Sequence, residues 1–301
     1  MTIDYDIPDL VPYINWDYFF HAWGMTGKPE GDRKALRRDA DSMLASLAGH
    51  RRAHALFALF AAHSDGDDVV LAGFAGENAA LAGENAAPAG SKTVLVGFAD
   101  EAPAPAGLTA GEFRIPFLRQ QQQGSDFLCL SDFIRPDGDV LGVFATAADA
   151  ALETDFSNDP YRKMMAQLLA DRLAEAAAER MHEAVRRHYW GYAPDEQLTM
   201  QQLHAERFCG IRPAVGYPSL PDTSVNFLID RLIGMKQIGI RLTENGAMRP
   251  HASVSGFMFA HPAAHYFSVG TIGEDQLADY ARRRGVPVAT LRPFLSANLK
   301  N

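Results

Sequence analysis

A chain of 301 residues, 47% apolar and 22% charged, can bury a substantial core and has the composition of an ordinary globular protein, which excludes disorder of the whole. Length alone suggests two domains, but one large α+β domain with a long surface excursion fits equally well. The formal charge of −9, from 28 Lys and Arg against 37 Asp and Glu, repels phosphate backbones and argues against nucleic acid as a partner.

The opening segment MTIDYDIPDL is acidic and interrupted by Pro8, so it does not read as a secretory signal. The longest apolar run, Ala55 to Ala62, is far too short to span a bilayer. Cys129 and Cys209 are too few for a disulfide framework or a Cys-based zinc site. These features predict a cytoplasmic protein that does not engage a membrane.

A helix is predicted from about Asp32 to Ala48, with Leu36, Ala40, Met43, Leu44 and Leu47 on one stripe and Gly49 as its stop. His54 to Ala62 and Val69 to Phe74, separated by the turn Ser64-Asp65-Gly66-Asp67, read as a hairpin with one strand largely buried. The stretch 76–91 holds an imperfect duplication, GENAALA then GENAAPA, too poor in large apolar groups for a core of its own. It is expected to be a surface loop or insertion.

Strands are predicted at Thr93–Ala99, Phe113–Phe117, Phe127–Leu130 and Val140–Thr146. The clearest helix follows, capped by Asp159 with Pro160 at its first position. Its apolar stripe is Met164, Leu168, Leu169, Leu173, Ala176, Met181 and Val185. It should end near His188 to Trp190, with Arg186 and Arg187 facing the negative end of its dipole. Further strands are expected at Ala252–Ala260 and Tyr266–Ile272, and a final helix at Asp275–Arg284 before Gly285. Without a regular βαβ rhythm, an antiparallel sheet carrying helices is expected rather than a doubly wound one.

No Gly-rich phosphate loop and no G-x-S-x-G elbow occurs. His182 and His188 lie about 240° apart around a helix and cannot share one metal. With Gly49 interrupting His50 and His54, these histidines read as solvated or capping groups, and no metal site is expected. His261 and His265 bracket a turn, and Cys209 reads as a small buried thiol.

The segment ERFCGIRPAVGYPSLP, 206–221, is different. Arg212-Pro213, Tyr217-Pro218, Gly210 and Gly216 forbid a helix and weaken a strand, leaving a stiff irregular loop. Arg212 offers a bidentate donor and Tyr217 an amphipathic ring. Either the loop binds something, or it is a rigid connection whose Arg caps a helix end.

IRPAVGYPSLPD resembles the signature loop of the activation domain of cobalamin-dependent methionine synthase, the module that binds S-adenosylmethionine. The similarity continues in YINWDYFFHAWGMTGKP (13–29), in DPYRKMMAQLLADRLAEAAAERMHEAVRRHYWGYAPDE (159–196), in LTENGAMRPHASVSG (242–256) and in HPAAHYFSVGTIGEDQLADYARRRG (261–285). It is weakest from about Gly49 to Gly124. The resemblance implies a helmet-like α+β fold with a twisted antiparallel sheet and flanking helices, forming one activation domain over 1–301.

It also implies a function. Such a module covers the corrin of a cobalamin-binding methionine synthase chain whose cobalt has been oxidised, accepts an electron from a flavodoxin-type donor, and presents S-adenosylmethionine as methyl source. It is a component of a methyltransferase in methionine biosynthesis, not a complete enzyme alone. By this resemblance Arg212 pairs with the ligand carboxylate, and Glu175 and Glu206 accept hydrogen bonds from its cationic or amino groups. Tyr217 stands at the catalytic position between ligand and cobalt. Tyr266 and the adjacent Phe267 are further contacts, and the small residues Ala214 and Gly216 let backbone lie against the ligand.

Two positions depart from the family pattern. Asn15 replaces an Asp in the opening motif, which loses a charge and one acceptor site and is expected to weaken ligand binding without abolishing it. Arg249-Pro250-His251 replaces Trp-Pro-Gly beside the corrin, so His251 either clashes, offers the cobalt a ligand, or is a surface substitution in a relaxed loop. No D-x-H-x-x-G cobalamin motif occurs, so the cobalamin is expected on a partner chain, with this chain either a stand-alone subunit of a split enzyme or an excised fragment of a longer one. An alternative is a module that docks on a corrinoid protein without using S-adenosylmethionine. Docking of an acidic donor requires a local basic patch, for which Arg186, Arg187 and Arg282 to Arg284 are candidates.

Overall fold

The computed structural model describes residues 1–72 and 112–299. The duplication at 76–91, the strand expected at Thr93–Ala99 and the last residues of the predicted hairpin lie outside them.

The framework is a six-stranded antiparallel sheet built on β2 (Arg52–Asp65). Along one edge β2 pairs first with β1 (Thr2–Asp6) and then, after the turn at Gly66, with β3 (Asp68–Ala72), which carries β4 (Glu112–Pro116). Along its other edge lies β5 (Asp139–Ala148), followed by β6 (Ser253–Met258). β2 reads as nearly continuous apolar sequence because both of its faces are covered. Phe57 and Leu59 enter one core with Phe144, while Leu56, Ala58 and Phe60 enter another with Val143 and Phe257.

Helices α1 (Trp16–Ala22), α2 (Glu30–Leu47) and α3 (Pro160–Ala184) cover the first face. The predicted stripe of α2 is buried as expected. The start of α3 also follows prediction, with the Asp159 carboxylate accepting the Arg162 N–H at 3.1 Å. Its buried stripe, however, runs through Met165, Leu169, Leu173, Ala177 and Met181. Met164 is exposed, one residue off the register that faces the sheet. Ala-rich turns bring α3 close to β5, where the Thr146 hydroxyl donates to the Ala174 carbonyl at 2.9 Å. The opposite face is covered by α4 (Val225–Ile233), and α5 (Glu274–Arg284) belongs to a third apolar cluster with Leu291 and Leu295.

Several expectations are corrected. Phe127–Leu130 is not a strand; Cys129 makes a single bridge to Arg119 and the chain turns into a 3₁₀ helix at Leu130–Phe133. The Asp132 carboxylate drives that turn, taking the Cys129 N–H at 2.8 Å and the fork of Arg119. Tyr266–Ile272 forms no ladder either, since its backbone is tied to Pro218 and Asn298 one bond at a time. Cys209 is only partly buried.

Arg186 is not a solvated end-of-helix charge. α3 runs into a wide π turn at Val185–Tyr189, and there Arg186 is fully buried, its guanidinium forked onto Glu196 at 2.6 to 3.1 Å. Arg187, Arg282, Arg283 and Arg284 are also paired, with Glu183, Asp279, Asp68 and Asp222 among their partners. Burial thus removes Arg186 from the expected basic patch, while Arg282 keeps its side chain 73% exposed.

His54 is not simply solvated. It bridges Asp4 on β1 and Asp149 just after β5, at 2.7 and 3.1 Å. The hydrogen bond to Asp149, then that to Asp4, raises its pKa above 6.5 against the opposing effect of burial. A folded pKa above the unfolded value means this contribution is complete below about pH 6.5 and is lost as pH rises through the folded pKa. His54→Gln should thus cost on the order of 0.5–1 kcal/mol at pH 6 and progressively less by pH 8.5, read from urea unfolding of both proteins at each pH.

Candidate functional site

The 206–221 loop is irregular, as its Pro and Gly content requires, yet it is firmly placed. It lies along the outer edge of β6. Ile211 N–H donates to the Phe259 carbonyl and the Ile211 carbonyl accepts the Phe259 N–H, while Phe257 N–H donates to the Pro213 carbonyl and Val215 N–H to the Ser255 carbonyl, all at 2.9 to 3.1 Å. The approach is so close at Gly256 that an added Cβ would drive into the Pro213 carbonyl and stand 3.0 Å from the Ala214 Cα. Gly256→Ala should therefore displace the loop, costing about 1–3 kcal/mol in denaturant unfolding and weakening whatever the loop binds.

The loop tip is a tight reversal. Gly216, at φ +88°, turns the chain, and its N–H reaches the Leu220 carbonyl at 2.8 Å. Ser219 bonds the backbone of Phe267 through both its donor and acceptor functions. The Phe267 ring packs against Phe133 at 6.3 Å, on the apolar side of the segment.

Around this loop five expected residues meet. Arg212, its side chain 10% exposed, pairs with Glu179 of α3 at 3.2 Å and lies over the Phe144 ring at 5.4 Å. Its backbone N–H donates to the Tyr266 hydroxyl at 3.0 Å. Tyr217 is 55% exposed and donates its hydroxyl to Glu175 Oε1 at 3.2 Å. Burial pushes the Tyr266 hydroxyl up to about 12, and Glu175 first, then burial, raises Tyr217 above its ordinary 10. Glu206 adopts φ +53° and sits in the same field; desolvation and the charge of Glu179 raise its carboxyl pKa above 4.5 against the pull of Arg212.

Asn15 is not brought into this group by any hydrogen bond among the described residues. It caps α1, its Oδ1 accepting the Asp17 N–H at 3.2 Å. Two residues earlier, Tyr13 donates to Glu183 at 2.6 Å and its carbonyl contacts His204 at 3.1 Å, so the opening segment is fastened to α3 beside the loop. His251 is 81% exposed at the side chain, 3.7 Å from Asp171, which lies one turn before Glu175 on α3.

A buried polar spine stands behind Arg212. Burial, reinforced by Arg186 and Arg212, holds the pKa of His182 well below 6.5, so its ring is neutral. Its Nδ1 accepts from Arg186 at 2.9 Å, and Tyr192 lies 3.5 Å from Nε2. His182 is thus a structural core group, not the solvated histidine expected. Glu179 was missed by sequence reasoning, although its spacing of four from Glu175 places both on one helix face. Among the described residues, no group of three or more His, Cys, Asp or Glu side chains is placed to hold a metal ion, and no helix is long and apolar enough to cross a membrane.

A model of the vitamin B12-dependent methionine synthase activation domain matches residues 6–285. The crystal structure of the MetH reactivation domain bound to AdoHcy is similar at 34% sequence identity with a TM-score of 0.82, covering 100% of this chain and 90% of that one. The mixed fold, the antiparallel sheet and the loop that carries Arg212 and Tyr217 thus accompany a match over nearly the full chain. The chain belongs to the family of vitamin B12-dependent methionine synthase activation domains.

Proposed function

We propose that this chain is a single activation domain that binds S-adenosylmethionine and supports reductive remethylation of cob(II)alamin held by a partner methionine synthase chain. The observation that carries the reading is Arg212, its side chain only 10% exposed, in the same loop along β6 as the exposed Tyr217, with its Nε lacking a hydrogen-bond partner among the described residues. A buried guanidinium with an unused donor suits a carboxylate.

The surrounding residues fit the rest of such a ligand. Glu175 and Glu206 would face its positive charge, and Ala214 and Gly216 would let backbone approach it. Tyr266 and Phe267 would border it, Asn15 would contact it from α1, and Tyr217 would stand between it and the corrin. S-adenosylmethionine supplies a methyl group whose transfer requires no proton to move, so positioning carries the rate and a catalytic triad is unnecessary. The electron is assigned to a flavodoxin-type donor, which cannot use the buried Arg186 as a docking contact.

The test has two arms. The purified chain is titrated calorimetrically with S-adenosylmethionine, then added with a reductant to a cobalamin-bearing methionine synthase chain that lacks an activation domain and has been inactivated by oxidation. Saturable binding and recovery of homocysteine methylation are expected. Absence of both from the folded protein would sink the reading.

A further inference from the structure

A cavity of about 860 Å³ opens on the face of the sheet opposite α3, between α4 and the segment that follows α5. Its volume falls in the range of small-molecule sites, ~300–1,000 Å³. Phe227 and Leu228 of α4 form one wall, and Val286 and Phe294 form the other. All four are half-buried, so the walls are apolar yet open to solvent. Arg212, Tyr217, Glu175 and Glu206 line no part of it.

Two arginines reach this cavity, and their charges are not equivalent. Arg284 is 6% exposed at its side chain and donates to Asp222 and to the Tyr280 hydroxyl, each at 2.8 Å, so its charge is matched within the chain. Arg231, in the last turn of α4, makes no ion pair among the described residues. Its guanidinium lies 5.5 Å from the Phe113 ring, and burial lowers its pKa below the ordinary guanidinium value with no carboxylate opposing the shift. The adjacent Asp230 accepts the Met235 N–H at 2.8 Å, and Glu244, which also lines the cavity, is exposed. The helix dipole favours a cation at this end of α4, but it does not require one to be set among apolar side chains.

We propose that the cavity is a second ligand site, which takes a small monoanion with an aromatic or aliphatic body, a carboxylate or a sulfonate. The anionic head pairs with Arg231, whose planar fork suits two oxygens of one group. The body lies between the walls of Phe227 and Leu228 and of Val286 and Phe294. One negative charge matches the one unpaired cation. A dianion such as a phosphate monoester brings a second charge beside Glu244 and is disfavoured. The site is independent of what occupies the loop at Arg212.

Fluorescence titration of the intact chain with anilinonaphthalene sulfonate, which joins two aryl groups to one sulfonate, tests the proposal. A single saturable phase is expected. Phenylnaphthylamine, the same body without the anionic head, reads the walls alone. Arg231→Gln should weaken the sulfonate by at least roughly tenfold and change the neutral probe by less than about threefold. Val286→Trp, which fills the cavity, should weaken both. Absence of saturable binding to the folded wild-type chain would overturn the proposal. So would unchanged sulfonate affinity in Arg231→Gln, an equal loss of both probes in that variant, or competitive displacement of the sulfonate by S-adenosylmethionine. None of these outcomes touches the reading of the Arg212 loop, which its own titration decides. Should Arg231→Gln fail to fold, a crystal structure of the wild-type chain with the sulfonate probe decides. The sulfonate is expected within hydrogen-bond distance of the Arg231 guanidinium, and its placement elsewhere would overturn the assignment.

Discussion

Arg212→Ala is expected to lower affinity for S-adenosylmethionine by at least roughly ten- to a hundred-fold, the equivalent of about 1.5–3 kcal/mol for one charge-assisted contact. The loss has two sources. The ligand's carboxylate loses its guanidinium, and Glu179, only 16% exposed at its side chain, is left as an unpaired negative charge. The second source acts on the free protein as well, so calorimetric titration must be accompanied by urea unfolding. Arg212→Lys separates the effects, because it restores a positive charge for Glu179 but not a planar fork for the ligand. Stability should recover in the lysine variant more than affinity does. Equal affinity in wild type and the alanine variant would remove Arg212 from the site.

Glu196→Ala is expected to destabilise the fold by about 3–5 kcal/mol, the usual cost of removing one partner of a buried ion pair. Arg186 would remain with no exposure to solvent, with the neutral His182 and the Phe208 ring, 4.2 Å away, beside its charge. The loss should appear as a lower urea midpoint with little change in slope. Removing both charges together, as Arg186→Met with Glu196→Leu, should recover much of the stability, because no isolated charge then stays buried. A single-variant cost below about 1 kcal/mol would mean that water reaches Arg186 when its partner is gone.

Local chemistry made much of the scaffold readable. Asp159-Pro160 announces a helix start, and Asp65-Gly66 announces the reversal between β2 and β3, because capping and turn geometry depend on residues adjacent in the chain. What misled was tertiary. Tyr266–Ile272 has strand-like composition, but its partners are the loop tip at Pro218 and the chain end at Asn298, which allow no ladder. Arg186 looks like a helix-end charge until the π turn carries it to Glu196.

The site shows the same division. Arg212, Tyr217 and Glu206 share one short segment whose irregularity stands out in the sequence, and resemblance added Glu175 and Tyr266. Glu179 escaped because α3 holds several acidic residues, and only burial against Arg212 distinguishes this one. Asn15 is named only through the resemblance, and its role as the cap of α1 comes from the structure.

The position of the loop along β6 has a second consequence. β6 is the terminal strand of the sheet, and its outward backbone groups would otherwise offer a template for another molecule's strand. The segment that carries Arg212 is also what blocks that template, through the bonds at residues 211, 213 and 215. A change that frees the loop from Gly256 would therefore do more than disturb the proposed binding site. It would open an adhesive border, so loss of ligand recognition and a tendency to self-associate should arise from the same lesion.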